Sequence, residues 1–278
     1  MGSPAVFDRQ QSGYGATMTT NDYAEPAAAL ASGPMPLLGF GTWQISNREA
    51  RQATAHALDA GYRHIDTATM YRNEEGIGKA LDSAGLDRKS LFVTTKLPPQ
   101  HAGRERRTLQ ESLSKLRLDY VDLWLVHWPP NGQAAPRVWE QLVKAQQDSL
   151  ARAIGVSNYS LRQIDELTKA TGVTPQVNQI RWGPPLYDPE MAAGLEQRGV
   201  VLEGYSPFKV SNLRDPILVS IAGQHDATAA QVIVAWHIAH GFVVIPKSVR
   251  RERIVGNAEG ARITLTADEV AAIDGLAR

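Results

Sequence analysis

The chain has 278 residues, 43% hydrophobic and 21% charged, which is enough apolar content to bury a sizeable core in one large domain. Its 29 basic residues balance 29 acidic ones, so the basic footprint of a nucleic-acid binder is missing, and no apolar run nears the roughly 18 residues of a membrane span. Cysteine is absent, which excludes disulfides, cysteine–zinc sites and thiol nucleophiles.

Residues 1–33, "MGSPAVFDRQQSGYGATMTTNDYAEPAAALASG", are rich in Gly, Ser, Thr, Ala and Pro and show no hydrophobic period. They read as a loosely ordered N-terminal extension. They lack a basic start followed by an apolar stretch, so they do not read as a secretory signal, and a cytoplasmic protein is expected. From residue 34 to residue 278 the pattern is regular. Short β-branched runs recur in order: "LLGFGTW", "YRHIDTA", "LFVTTKL", "VDLWLVHW", "ARAIGVSN", "QVNQIRW", "GVVLEGYSP" and "GFVVIPKS". Segments of helical period lie between them. In "TLQESLSKLRL", Leu109, Leu113 and Leu116 fall on one face at i, i+4 and i+7. Ser46 with Glu49, Ser160 with Gln163, Thr228 with Gln231 and Thr266 with Glu269 fit the capping box that opens a helix. Asp188 before Pro189 is a further N-cap, and Asn73 ahead of "EEGIGKAL" reads as another.

Eight strands alternating with helices over roughly 245 residues predict a single-domain (β/α)8 TIM barrel, whose usual size is about 250. The alternative, a doubly wound sheet, carries a glycine fingerprint after its first strand. In "GFGTWQ", Gln44 stands where the third glycine belongs, and "GIGKAL" lacks the upstream glycine and the Ser/Thr of a phosphate loop.

Chemistry in such a barrel gathers at the C-terminal ends of the strands. Those ends carry Trp43, Asp66 with Tyr71 just beyond, Lys96, His127 with Trp128, Ser157 with Asn158, Gln179, Tyr205 with Ser206, and Lys247 with Ser248. Singly, each has a plain explanation: Asp66 as a turn cap, Lys96 reaching solvent, His127 holding the turn before "WPP". Asp66, Tyr71, Lys96 and His127 on three successive strand ends can instead share one cleft. A tyrosine with a pKa near ~10 is a poor acid at neutral pH, and an adjacent ammonium favours its phenolate. Bringing it to about 7 takes roughly 4 kcal/mol of differential interaction. Lys96 can exert that pull, Asp66 can keep a buried Lys96 charged, and His127 can hydrogen-bond and orient a carbonyl oxygen. No side chain supplies a hydride, so a nicotinamide or flavin cofactor is implied.

The motifs "LGFGTW", "GYRHIDTATMY", "TTKL", "LDYVDLWLVHWP", "IGVSNY", "QVNQI", "YSPF" and "IPKSVRRERIVGN" carry a family likeness. From about Pro34 onward the chain resembles the aldo-keto reductases, particularly small bacterial members similar to 2,5-diketo-gluconic acid reductases. The resemblance implies NADPH-dependent reduction of small carbonyl compounds, ketoaldehydes or ketosugars by a tetrad of Asp66, Tyr71, Lys96 and His127, with Tyr71 as general acid. It implies NADP(H) lying extended across the barrel top. Gly41 and Thr42 would border it, Ser157, Asn158 and Gln179 would fix its carboxamide, and Tyr205 would stack on the nicotinamide. Ser206, Pro207 and Phe208 would begin the loop along the pyrophosphate. Lys247, Ser248 and Arg253, with Val249 among them, would hold the adenosine 2′-phosphate, and Asn257 the adenine.

Three departures stand out. Gly256 replaces a usual Glu beside the adenine, the sixth strand reads "NQIRWGP" with Arg181 and Trp182 where "NQIEYHP" is common, and the chain stops with "TADEVAAIDGLAR". A more open pocket is expected from the last. Trp43 and Trp128 are candidate pocket walls. His64 reads as a hydrogen-bonded core histidine, and His101 as bordering the pocket. The expected partner is a small carbonyl substrate of a monomer, with no metal, nucleic acid or membrane. Two other readings stand beside this one. A metal-dependent hydrolase using His64, Asp66 and His127 leaves Tyr71 and Lys96 without a task. An NADP(H)-binding barrel that senses the cofactor without turnover uses the same site.

Overall fold

The computed structural model describes residues 26–277. A hairpin of β1 (Ala27–Leu30) and β2 (Gly33–Pro36) comes first. Eight parallel strands follow in sequence order around one sheet: β3 (Gly39–Gly41), β4 (His64–Asp66), β5 (Phe92–Leu97), β6 (Val121–Val126), β7 (Ala151–Ser157), β8 (Val177–Arg181), β9 (Val201–Tyr205) and β10 (Val243–Ile245). They are the eight runs expected from the sequence. The Val244 N–H donates to the Leu37 carbonyl (2.7 Å) and the Gly41 N–H to the Pro246 carbonyl (3.0 Å), bringing the first and last strands together in a nearly closed barrel.

Glycine makes that closure possible. A Cβ on Gly41 would lie 2.6 Å from the Ile245 carbonyl oxygen, and one on Gly39 would lie 2.6 Å from the His64 ring. The "GFG" run therefore serves a close approach of backbones, and no nucleotide fingerprint is needed to explain it.

The hairpin corrects the expectation for residues 1–33. Its strand Ala27–Leu30 falls inside the stretch read as loosely ordered, while residues 1–25 lie outside the described ones. Met35 and Leu37 are buried with Phe92, Leu123, Leu125, Ala153, Val177 and Val243, an apolar plug in the barrel. An alanine-rich strand carries little periodic signal, and the barrel supplies the surface that it packs against.

The helices shield the outer faces of the strands: α1 (Asn47–Asp59), α2 (Glu74–Ser83), α3 (Glu105–Leu116), α4 (Pro136–Gln147), α5 (Leu161–Thr171) and α6 (Pro189–Glu196). After β9 come α7 (Pro207–Val210), α8 (Pro216–Gln224) and α9 (Ala229–Ala239), and after β10 come α10 (Arg251–Gly260) and α11 (Ala267–Asp274). Leu109, Leu113 and Leu116 of α3 are buried, as their spacing predicts. Ser160, Thr228 and Thr266 form complete capping boxes, and Asp188 caps α6. Ser46 caps α1 through the Glu49 N–H. Asn73 differs: it stands at the cap position of α2, but its side chain makes no cap bond. Trp182 is buried and packs edge-on against Phe242 (5.8 Å) and Tyr187 (6.1 Å), joining an aromatic group beneath α9.

Candidate active site

His64 and Asp66 lie two apart on β4 and share a face, as do Thr94 and Lys96 on β5, so both strands turn polar side chains into the barrel. Lys96 is fully buried, and its ammonium lies 2.7 Å from both Asp66 oxygens and 2.8 Å from the Thr67 carbonyl. Burial alone would strip the charge from Lys96. The Asp66 carboxylate, with Tyr71 and Glu203 adding to its pull, outweighs burial and holds the lysine above its ordinary range. The Gln179 amide donates to Asp66 Oδ2 at 2.9 Å, a second support for the same carboxylate.

Tyr71 reaches this pair from a short 3-10 turn, Thr69–Tyr71. Thr69 Oγ1 donates to the Lys96 carbonyl (2.9 Å) and contacts Ser112 Oγ (3.1 Å), which anchors the turn to β5 and α3. Lys96 Nζ lies 5.2 Å from the centre of the Tyr71 ring, and the His127 ring lies edge-on to it at 5.6 Å. The four side chains thus converge as their strand ends suggest. The expected acidification is outweighed, however. Burial pushes the Tyr71 phenol up to about 12, and the Lys96 charge pulls it back only in part. The half-buried phenol stays protonated at neutral pH. Burial, and then the Lys96 charge, lower His127 to about 3, so its imidazole is neutral and has one N–H to offer.

The side chains expected around a cofactor are linked to one another. The Tyr205 hydroxyl donates to Asn158 Oδ1 (2.8 Å), and Asn158 Nδ2 donates to Ser157 Oγ (2.9 Å) and the His127 carbonyl (3.2 Å). Ser157 Oγ donates to the Gln179 carbonyl (2.8 Å). Thr42 Oγ1 donates to the Asp66 carbonyl (2.8 Å). Gln44, Arg72, Asn158 and Ser206 have left-handed backbone, with φ of 57°, 56°, 64° and 57°. Four such non-glycine residues beside the strand ends concentrate backbone strain around this cleft.

Beyond β10, Ser248 Oγ accepts from the Arg250 N–H (3.1 Å), Val249 is exposed and Asn257 is buried. Lys247, Arg250 and Arg253 are exposed and enter no ion pair among the described residues. The first turn of α10 has no side-chain cap; the Arg253 N–H turns back to the Arg250 carbonyl (3.1 Å), which leaves the Arg251 and Glu252 N–H groups to meet an anion. A Cβ on Gly256 would touch nothing within 4 Å. Pro207 is buried and Phe208 half-buried on α7, and Lys209 Nζ stands 5.0 Å over the Trp43 ring. Trp43, Met70 and Trp128 are 42%, 48% and 47% exposed, an unusual outlay of large apolar side chains that suits a substrate wall.

His64 is a buried core histidine, as expected, with Nε2 3.2 Å from Thr94 Oγ1. His101 Nδ1 lies 3.0 Å from Thr108 Oγ1 on α3, so that nitrogen has a structural partner. The proposed metal ligands do not gather: Asp66 is taken by Lys96 and Gln179, and His64 turns to Thr94. Among the described residues no three His, Cys, Asp or Glu side chains are grouped to hold a metal ion. Glu203, which no sequence motif singles out, is fully buried on β9 with His64 Nε2 3.6 Å from its Oε1. The signal was present, since Glu203 stands two residues before Tyr205 and must share its face.

Residues 37–278 match the Aldo/keto reductase family. The chain belongs to that family. It is 40% identical over 243 residues to methylglyoxal reductase DkgA of Escherichia coli K12, covering 86% of this chain and 88% of that protein. The crystal structure of an aldo/keto reductase from Brucella melitensis is 40% identical with a TM-score of 0.87, covering 91% of this chain and all of that one. A Bombyx mori aldo-keto reductase in complex with NADP is 34% identical with a TM-score of 0.84, covering 91% and 93% of the two chains. As an aldo-keto reductase this protein is an NADP(H)-dependent oxidoreductase of carbonyl compounds. The residues fit that cofactor, because the free cations beyond β10 and the uncapped start of α10 suit a phosphate, and the amides at the ends of β7 and β8 suit a carboxamide.

Proposed function

We propose that this enzyme reduces small aldehydes and α-ketoaldehydes or ketosugars with NADPH, using Tyr71 as proton donor and Lys96, Asp66 and His127 to position and tune it. The observation that carries this reading is the buried Lys96 ammonium, held 2.7 Å from both Asp66 oxygens while facing the Tyr71 ring. When bound, the nicotinamide supplies the hydride. The residues of this chain do the rest. His127, neutral and buried, offers an N–H to the carbonyl oxygen and orients it. As negative charge develops on that oxygen, the Tyr71 hydroxyl transfers its proton there. A phenol near 12 is fully protonated at neutral pH, yet is a far stronger acid than the alcohol being formed. The phenolate left behind faces Lys96, whose charge Asp66 sustains. Burial thus keeps the donor loaded, and the ammonium favours its discharge.

Ser157, Asn158, Gln179 and Tyr205 would hold the nicotinamide end of the cofactor, with Gly41 and Thr42 across from them. Ser206, Pro207 and Phe208 would border the pyrophosphate. Lys247, Ser248, Val249 and Arg253 would surround the 2′-phosphate, and Asn257 would meet the adenine. Trp43 and Trp128 would flank the substrate, and their exposure favours a mouth open to several small carbonyls. The similarity to a methylglyoxal reductase supports ketoaldehydes in particular. A monomer working in the cytoplasm is the simplest setting for such chemistry, and no described helix is long and apolar enough to cross a membrane.

The test is a panel of methylglyoxal, glyoxal, an aromatic aldehyde and a ketosugar with each nicotinamide cofactor, followed at the reduced-nicotinamide absorbance. Consumption of NADPH is expected; binding without consumption would leave a cofactor sensor. Tyr71→Phe should lower kcat by about 10²- to 10⁴-fold with little change in NADPH affinity. Near-normal turnover by that variant would remove Tyr71 as donor. Arg253→Ala should weaken NADPH at least about tenfold, the loss of a charge-assisted bond, and barely affect NADH. An equal effect on both cofactors would move the 2′-phosphate elsewhere.

A further inference from the structure

Asn73 stands where a helix cap is expected, and its side chain leaves that duty unfilled. It is fully buried. Its carboxamide makes three hydrogen bonds, none of them to α2. Nδ2 donates to the Thr42 carbonyl (2.9 Å) and the Ile45 carbonyl (3.1 Å), and Oδ1 accepts from Thr67 Oγ1 (2.8 Å). Both amide protons and the amide oxygen are therefore engaged.

These partners belong to two parts of the active site, and Asn73 itself to a third. Thr42 and Ile45 bracket the loop that carries Trp43 and the left-handed Gln44. Thr67 follows Asp66, and its carbonyl is the third acceptor of the Lys96 ammonium. Asn73 itself follows Tyr71 across the left-handed Arg72. Thr42 closes the circuit by donating its N–H (3.1 Å) and hydroxyl (2.8 Å) to the Asp66 carbonyl. One amide thus ties the loop of a substrate wall, the end of the carboxylate strand and the turn of the phenol into one frame. A serine or aspartate here could cap α2, but neither presents two N–H donors for two buried carbonyls together with an acceptor for Thr67.

We propose that Asn73 is a positioning residue for carbonyl reduction, holding Tyr71 in register with Lys96 and with the Trp43 loop. This rests on the reading of Tyr71 as proton donor. Proton transfer is steep in geometry, and a displacement near 1 Å reduces rate by about 10²-fold. Asn73→Ala should therefore bind NADPH nearly as the parent does, and lower kcat by about that factor at a temperature well below its own Tm.

A purely structural asparagine would also lower Tm, so the deciding readout is coupling to Tyr71. Turnover is measured for the parent, Asn73→Ala, Tyr71→Phe and the double variant, with NADPH affinity from protein fluorescence quenching. If Asn73 acts by placing the phenol, Asn73→Ala should cost less than about twofold more once the phenolic hydroxyl is gone. The same fold-loss in both backgrounds, or a lowered Tm with normal kcat, overturns the assignment. Should Asn73→Ala fail to fold, Thr67→Val carries the test, because it removes one bond of the frame and leaves the amide in place. It should lower kcat in a Tyr71-dependent way, and normal kcat overturns the proposal. Near-parental turnover by Tyr71→Phe alone would identify a failure of the donor reading itself, and this assignment would fall with it.

Discussion

Two acid–base pairs lie inside the same barrel, joined through one strand, and they meet burial in opposite ways. Asp66 and Lys96 touch at 2.7 Å through both carboxylate oxygens, and the Thr67 carbonyl and Gln179 amide complete the contacts. His64, two residues deeper on β4, has Nε2 3.6 Å from Oε1 of Glu203, and neither Glu203 oxygen has a hydrogen-bond partner at normal geometry. In the first pair direct hydrogen bonds oppose burial: Lys96 is held above its ordinary range, and burial raises the Asp66 carboxyl but Lys96 and Gln179 pull it back. No hydrogen bond reaches Glu203. Burial lowers His64 to about 3; burial and the Asp66 charge raise Glu203 to about 8. Both are neutral at pH 7. A charge survives in this interior only where hydrogen bonds meet it directly, and proximity about 1 Å too loose is not enough. The enzyme thus places a working ammonium beside its phenol while keeping the floor beneath it uncharged.

Breaking the upper pair should have the largest effect. Lys96→Met leaves the Asp66 carboxylate without its counter-charge, and should destabilise the protein by about 3–5 kcal/mol in urea titration at pH 7, with turnover lost. Adding Asp66→Asn should recover part of that stability and none of the activity. If Lys96→Met unfolds at the parental urea concentration, the upper pair is not what holds charge in the barrel.

The lower pair should answer to pH instead. Glu203 has a folded-state pKa near 8 against an unfolded value near 4.5, so the native state binds the extra proton between them. Its contribution to stability is fully present below 4.5 and is lost as pH rises through 8, with a slope of up to about 1.4 kcal/mol per pH unit. Glu203→Gln cannot ionise and should remove that slope, its advantage over the parent growing from pH 5 to 8 and then levelling. His64 gives the opposite limb. Its pKa is depressed on folding, so its contribution is present above about 6.5 and fades as pH falls toward 3. A parallel pH profile for Glu203→Gln and the parent would mean that Glu203 is charged in the fold.

A charge pair on the surface should respond least. Arg107 and Glu111 on α3 are 2.8 Å apart, much like the buried pair, but their side chains are 79% and 47% exposed. Water and salt screen them, so Arg107→Ala should leave Tm within error of the parent at physiological ionic strength. A clear drop in Tm would show that distance alone governs these pairs.

The barrel was legible because its signals are local. Strand runs alternate with apolar helix stripes, and capping boxes at Ser160, Thr228 and Thr266 sit in consecutive residues that need no distant partner. Asp66, Lys96 and His127 were legible for a related reason: in a parallel barrel, strand ends share one face whatever the loops do. The hairpin at Ala27–Leu30 was missed because its order depends on packing against a floor made by other strands. In sequence Asn73 reads as a cap, since a cap is the local use of an asparagine at a helix start. Carbonyls 31 and 28 residues earlier claimed its amide instead.

The order of strands and helices, the polar residues at their ends and the absence of thiol chemistry were determined by the sequence alone, because each depends on residue type and short-range spacing. The state of those residues was decided only in three dimensions. Lys96 lowers the Tyr71 pKa, as its chemistry requires, but burial, a property of the assembled barrel, outweighs it. The charge on Asp66 depends on donors from other strands, Lys96 on β5 and Gln179 113 residues away on β8, and no such donor reaches Glu203. Residue type sets what a group can do; the dielectric and the donors around it, which only folding assembles, set what it does.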